Sequence, residues 1–164
     1  MFNKVCGLSA IVVVVAILSA CTSGDKQMDS FKVSMNQVSP SGVGADLGTV
    51  TISSASGGGV EFVPDLHDLM PGEHGFSVHE VPSCDAGSKD GVKVAALAAG
   101  GSLDDLPGLT VDDKGFATVP VVAKQLKLAD LKGRSLVINS QSDDAQSGNA
   151  AKGGGSRVAC GIIE

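Results

Sequence analysis

Beyond residue 30 the chain has no stretch in which apolar residues recur at helical spacing over several turns. That constrains its fold more than any other feature. Alternation at period two recurs instead. In FKVSMNQVS (31–39), Phe31, Val33 and Met35 alternate with Lys32, Ser34 and Asn36, the pattern of a half-buried strand. GADLGTVTISSA and GVEFVPDL read as two further strands joined by the turn SASGGG, and HGFSVHEV reads as a fourth. GLTVDDKGFATVPVV reads as a hairpin, two β-branched runs around Asp-Asp-Lys-Gly. RSLVINS and SRVACGIIE supply the last two strands. LKLADLKGR has room for a single helical turn. DGVKVAALAAGG is rich in alanine, but its flanking Gly and Val favour an extended or irregular path. Seven or eight short strands punctuated by glycine, without an internal repeat, predict an all-β antiparallel sandwich or barrel.

The first twenty residues stand apart from this pattern. One cation, Lys4, precedes an apolar run from Val5 to Leu18 and then Leu-Ser-Ala-Cys. The run is too short for a comfortable membrane span and has the layout of a secretory signal. The Leu-Ser-Ala-Cys ending resembles a bacterial lipobox, which implies cleavage before Cys21 and lipidation of that cysteine. Thr22 is not the aspartate that would suggest retention at the inner membrane, so the expected location is the periplasm, anchored to the outer membrane. The domain plan is therefore a signal at 1–20, a lipidated tether at 21–30 and a β-barrel domain at 31–164.

Removing the signal leaves 144 residues, enough for one domain with a substantial core, and takes away one cation, so the net charge moves from −6 to −7. An acidic chain read as having no basic cluster is a poor match for nucleic acid or an anionic membrane surface. With no Trp or Tyr, stacking platforms for bases or sugars are also excluded. Of the four cysteines, Cys6 lies in the signal and Cys21 is the lipid site. Cys84 and Cys160 remain, an even pair in an oxidising compartment, and are read as a disulfide; two buried free thiols are the alternative.

The stretch GEHGFSVHEVPSC (72–84) raises the chemical question. Two imidazoles at i and i+2 on a strand share a face and can close on one metal, but here that spacing offers Ser77 and His79. The other imidazoles, His67 and His74, do not converge with it: His74 is five residues from His79 and so lies on the opposite face of a regular strand.

Four stretches together resemble the bacterial copper,zinc superoxide dismutase family: FVPDLHDLMPGEHGFSVHE, SCDAGSKDGVKVAALAAGGSLD, DLPGLTVDDKGFATVPV and GNAAKGGGSRVACGII. The resemblance runs from about Gly48 to the end. It implies a flattened eight-stranded Greek-key barrel, with the disulfide pinning a long loop to the last strand. It also implies copper held by four His, one shared with zinc, and zinc completed by two more His and an Asp. By that resemblance His79 stands at one copper position, Ser77 and Asn139 replace two others, and Asp143 matches the outer-shell Asp. Asp105 corresponds to the zinc Asp, and Arg157 to the Arg that draws superoxide toward copper. The loop carrying the remaining His is essentially absent, since Asp104 and Asp105 join its ends. His74 matches a structural, non-ligand position.

Six imidazoles cannot be drawn from three His, and hydroxyl and amide oxygens suit copper poorly. The expectation is a dismutase scaffold without its metals, with neither copper nor zinc as cofactor, acting as a non-catalytic binding or structural module. Its partners would be the membrane through Cys21, an envelope protein, and a second copy in a homodimer. The alternatives are a copper-dependent dismutase with an atypical site around His79, and a periplasmic copper carrier. Without the metal, Arg157 reads as a barrel-surface cation or part of a binding patch, and Asp104 and Asp105 as a solvated acidic turn. Gln141–Asn149 reads as a polar loop or a recognition loop. Ser77 as a hydrolase nucleophile lacks a G-x-S-x-G elbow, and AAKGGGS lacks the strand-then-helix order of a phosphate cradle.

Overall fold

A computed structural model describes residues 30–140 and 155–164. Twelve strands lie among them: β1 (Ser30–Ser39), β2 (Gly42–Ser54), β3 (Val60–Leu66), β4 (Gly72–His74), β5 (Phe76–His79), β6 (Gly87–Lys89), β7 (Val92–Val94), β8 (Ser102–Asp105), β9 (Leu109–Val111), β10 (Val121–Ala123), β11 (Arg134–Asn139) and β12 (Arg157–Ile163). Eight of them form one curled antiparallel sheet in the order β10-β3-β2-β1-β12-β11-β5-β8, while β4 pairs with β9 and β6 with β7. The fold is all-β, with two single-turn 3₁₀ segments, Leu97–Ala99 and Leu128–Asp130. The second is the short turn that LKLADLKGR predicted. The edge strands β10 and β8 are not joined by a ladder. Gln125 Nε2, just past β10, donates across the seam to Asp104 Oδ1 of β8 at 3.3 Å.

Alternation does the work the sequence expected of it. Val33 and Met35 of β1, Val50 and Ile52 of β2, Val60, Phe62 and Leu66 of β3, and Phe76 and Val78 of β5 all point into one core. Phe62 and Phe76 meet edge-to-face with ring centroids 5.7 Å apart. A second, smaller cluster lies on the other face of the sheet. There Val38, Val137 and Cys160 are covered by Cys84, Ala95, Ala96 and Ala99 from the segment that leads to β8.

Two expectations on pairing are corrected. GLTVDDKGFATVPVV does turn tightly, with Asp112 Oδ1 accepting from the backbone N–H groups of Lys114 and Phe116. Its two arms then part company: β9 pairs with β4, and β10 with β3. Turn chemistry is local and does not decide which neighbour each arm buries against. HGFSVHEV is likewise split at Gly75 into β4 and β5, which join different sheets.

Glycine is required where β12 crosses β1. A Cβ at Gly161 would lie 2.5 Å from the Ser34 carbonyl oxygen and 2.7 Å from Met35 Sδ. Because the nearest atom is backbone, β1 itself must shift. Gly161→Ala is expected to cost about 3 kcal/mol, the range for overpacking a tight core. Urea unfolding checks this as a lowered midpoint with an unchanged slope.

Candidate functional site

Ser77 and His79 sit on the face of β5 turned away from the main core, while Phe76 and Val78 point into it. The segment from Cys84 to Gly101 folds over that outer face, so Ser77 and His79 are 1% and 4% exposed despite facing outward. The disulfide pins this cover, with Cys84 and Cys160 bonded at a Cα separation of 5.7 Å.

The hydrogen bonds fix the state of His79. Its Nδ1 lies 3.1 Å from the Gly100 carbonyl, which can only accept, so Nδ1 carries the proton. Nε2 of the neutral ring is then an acceptor, and the Ser77 hydroxyl donates to it at 3.1 Å. Burial, with a smaller contribution from the Arg157 charge, pulls the imidazole below its ordinary pKa. The Gly100 carbonyl, Asp105 and Glu80 oppose that shift without reversing it. Both ring nitrogens are thus engaged by the protein.

Arg157 is half-buried, and burial lowers its pKa. Its guanidinium donates to the carbonyls of Ala96 and Gly100, the latter at 2.9 Å. It is therefore a strut that holds the covering segment over β5, not the barrel-surface cation that the chain without metal suggested. Arg157 and His79 share the Gly100 oxygen as acceptor, which couples their positions.

Asp105 pairs with Ser77 across the β5–β8 ladder and accepts a hydrogen bond from Ser102 at 2.9 Å. Asp104, opposite Val78, accepts from Gln125. Asn139 ends β11 two residues past Val137, the partner of Ser77, and is itself buried. Its carbonyl accepts from His74 Nδ1 at 2.8 Å, and His74 Nε2 meets the Met70 carbonyl at 2.7 Å. His74 is thereby a buried cross-tie, in keeping with its expected structural role. His67 is near the surface beside Asp68. The three imidazoles do not converge. Cys21, Asp143 and Gln141–Asn149 lie outside the described residues.

Sequence reasoning missed Ser102, which stands opposite His79 in the ladder. The signal was the β5–β8 register, which no local pattern carries. It also set aside the pairing of Ser77 with His79, which the covering segment brings about. The third member of that array is a carbonyl, not a carboxylate, and the pair is sealed. A groove of about 450 Å³ runs along the disulfide past Lys32, Asp85 and Glu164 and does not reach Ser77.

The donors among the described residues do not fit a copper or zinc centre. Among the described residues no three His, Cys, Asp or Glu side chains are grouped for a metal. The lone imidazole near the site presents no free nitrogen, and Ser77 and Asn139 offer only hard, neutral oxygen or amide donors.

A fall in stability with acid follows from His79. Its native pKa lies below the unfolded value of 6.5, so the unfolded chain binds the extra proton more readily. The stability contributed by the neutral ring is complete above pH 6.5 and is lost as pH falls from there toward the lowered native value. Melting temperature is expected to drop across that window, and His79→Gln should flatten this part of the profile.

A profile of the copper/zinc superoxide dismutase family matches residues 47–163. Among curated proteins, superoxide dismutase [Cu-Zn] 1 of Salmonella typhimurium is 43% identical over 156 residues, covering 83% of this chain and 88% of that protein. Superoxide dismutase [Cu-Zn] of Escherichia coli K12 is 40% identical over 168 residues, covering 91% and 96%. The solved structure of the Cu/Zn superoxide dismutase from Brucella abortus superposes with a TM-score of 0.78 at 42% identity, covering 83% of this chain and all of that one.

Proposed function

The chain belongs to the copper/zinc superoxide dismutase family, and from that premise we propose that this member works without copper or zinc, as a binding or structural module of the periplasm anchored through Cys21. One observation carries the reading. Gly100 occupies one nitrogen of His79 and Ser77 the other, so the single imidazole at the site is spent on holding the fold. A catalytic copper needs several imidazoles held in geometry through a redox cycle, with outer groups that orient them. Here the Gly100 carbonyl still holds the His79 ring, while Ser77 and Asn139 stand where the family resemblance calls for two further imidazoles. The module keeps its disulfide, its barrel core and its cover, which supports a role for a rigid folded surface. An envelope protein is the partner such a surface suits.

Metal analysis tests the reading. The chain from Thr22, oxidised at Cys84 and Cys160, is loaded with excess copper and zinc and desalted. Mass spectrometry is expected to find only traces of either metal. Near-stoichiometric copper would overturn the proposal, and a superoxide assay on the wild type and His79→Ala would then separate a dismutase from a copper carrier.

A further inference from the structure

The groove along the disulfide is lined by both cysteines, with Lys32, Ser83, Asp85 and Ile162 beside them. The cystine therefore borders an opening, and Cys84, at 8% exposed against 1% for Cys160, is the more open of the pair. The bond joins two bodies held with unequal strength. Cys160 lies in β12, which is laddered to β1 on one side and to β11 on the other. Cys84 opens the covering segment, whose strands β6 and β7 pair only with each other. Among the described residues, the hydrogen bonds that tie this segment to β5, β12 and the residues just after β5 all fall between Ala96 and Gly101. Arg157 donates to the carbonyls of Ala96 and Gly100, His79 shares the latter, and the Val81 and Glu80 amides bond the carbonyls of Ala99 and Gly101. Residues 84–95 have instead the cystine and the burial of Ala95 to hold them against the sheet.

We propose that this groove is a thiol–disulfide exchange site, at which a dithiol reductant opens the Cys84–Cys160 bond of the folded protein and so lifts residues 84–95 off the sheet while the barrel stays intact. A thiolate of the reductant attacks Cys84 Sγ, and Cys160 leaves as a thiolate that takes up a proton from water. The second thiol of the reductant then displaces Cys84 from the mixed disulfide. Two electrons and two protons pass to the protein, and the reductant is left as its own disulfide. Lifting the segment carries the Ala96 carbonyl away from Arg157, while the bonds at Ala99 and Gly101 keep its far end tethered. Arg157 then has donors to spare beside Val38 and Val137, which the alanines had covered. Reduction thus opens a surface with one cation and an apolar floor that the oxidised protein keeps shut.

The chain from Thr22 keeps every described strand and has Cys84 and Cys160 as its only cysteines, so it serves for the test. Its reduction by dithiothreitol, followed by alkylation and mass spectrometry, is expected to run at a rate that stays flat across urea concentrations below the unfolding transition. Exchange through the unfolded chain would instead climb from zero urea with the full slope of equilibrium unfolding, and that result would overturn the proposal. Asp85→Lys locates the route. It changes the charge of the groove wall by two, within a screening length of about 10 Å. The ratio of rates with anionic mercaptoethanesulfonate and cationic cysteamine is expected to rise several-fold, since any structural effect acts on both reagents alike. An unmoved ratio would mean that attack does not pass through the groove. Phenylglyoxal, read by mass spectrometry, reports the lifting. In C84S/C160S, standing for the reduced state, Arg157 is expected to react several-fold faster than in the oxidised protein. Arg134, which bonds the Glu80 carbonyl outside the segment, should be unchanged. Faster reaction of both arginines, or of neither, would overturn the lifting of one segment from an intact barrel.

Discussion

C84S/C160S is expected to lose about 4.5 kcal/mol of stability, from the entropy of a loop closed over a sequence separation of 76. The loss is expected to concentrate in the segment covering β5. That cover rests on a small cluster of Ala95, Ala96, Ala99 and Val137 around the cystine, separate from the main core. Alanines bury little area, so the cluster alone holds the cover weakly. Freed of the bond, the segment would withdraw the Gly100 and Ala96 carbonyls from His79 and Arg157. Urea midpoints of C84S/C160S and of the oxidised wild type measure the loss. A difference under about 1 kcal/mol, no larger than an ordinary surface substitution, would mean that the cover is held by packing and by Arg157.

Grafting imidazoles gives the second large effect. S77H/N139H is expected to raise the copper retained after desalting to near stoichiometry, well above the wild type. The change acts twice. It removes the hydroxyl that occupies His79 Nε2, and it adds two imidazole donors, which suit copper, on neighbouring strands. Arg157 and the Gly100 carbonyl already fix the His79 ring, so the graft would meet a partly organised site. Copper content after loading and desalting, with a visible absorption band as second readout, decides it. If the graft stays metal-free while folded, the side chains at positions 77 and 139 do not converge with His79.

Much of the barrel was legible because its signals are local. β1, β2 and β3 announce themselves by alternation, and the glycine turn 55–59 by composition. The parting of β9 from β10, and of β4 from β5, was not legible, because strand partnership depends on what each face buries and not on the turn between them. At the site, the shortage of imidazoles could be counted in the sequence. The Ser77–His79 bond, the strut made by Arg157 and the place of Ser102 could not, since each depends on register or on a segment folded back from far along the chain.

The position of β1, hydrogen-bonded to its sequence neighbour β2 on one side and to the last strand β12 on the other, sets the order in which the molecule can be made. When the first strands emerge, one edge of β1 has nothing to pair with until nearly the whole chain has been delivered. Contacts between the extremes of the sequence form slowly, and an unpaired edge is an invitation to association while it waits. The partner of Cys84 also arrives with β12, so covalent closure can follow but cannot lead the assembly. Holding that edge apart from other chains until β12 arrives is thus a demand the topology makes on the surroundings in which this protein folds.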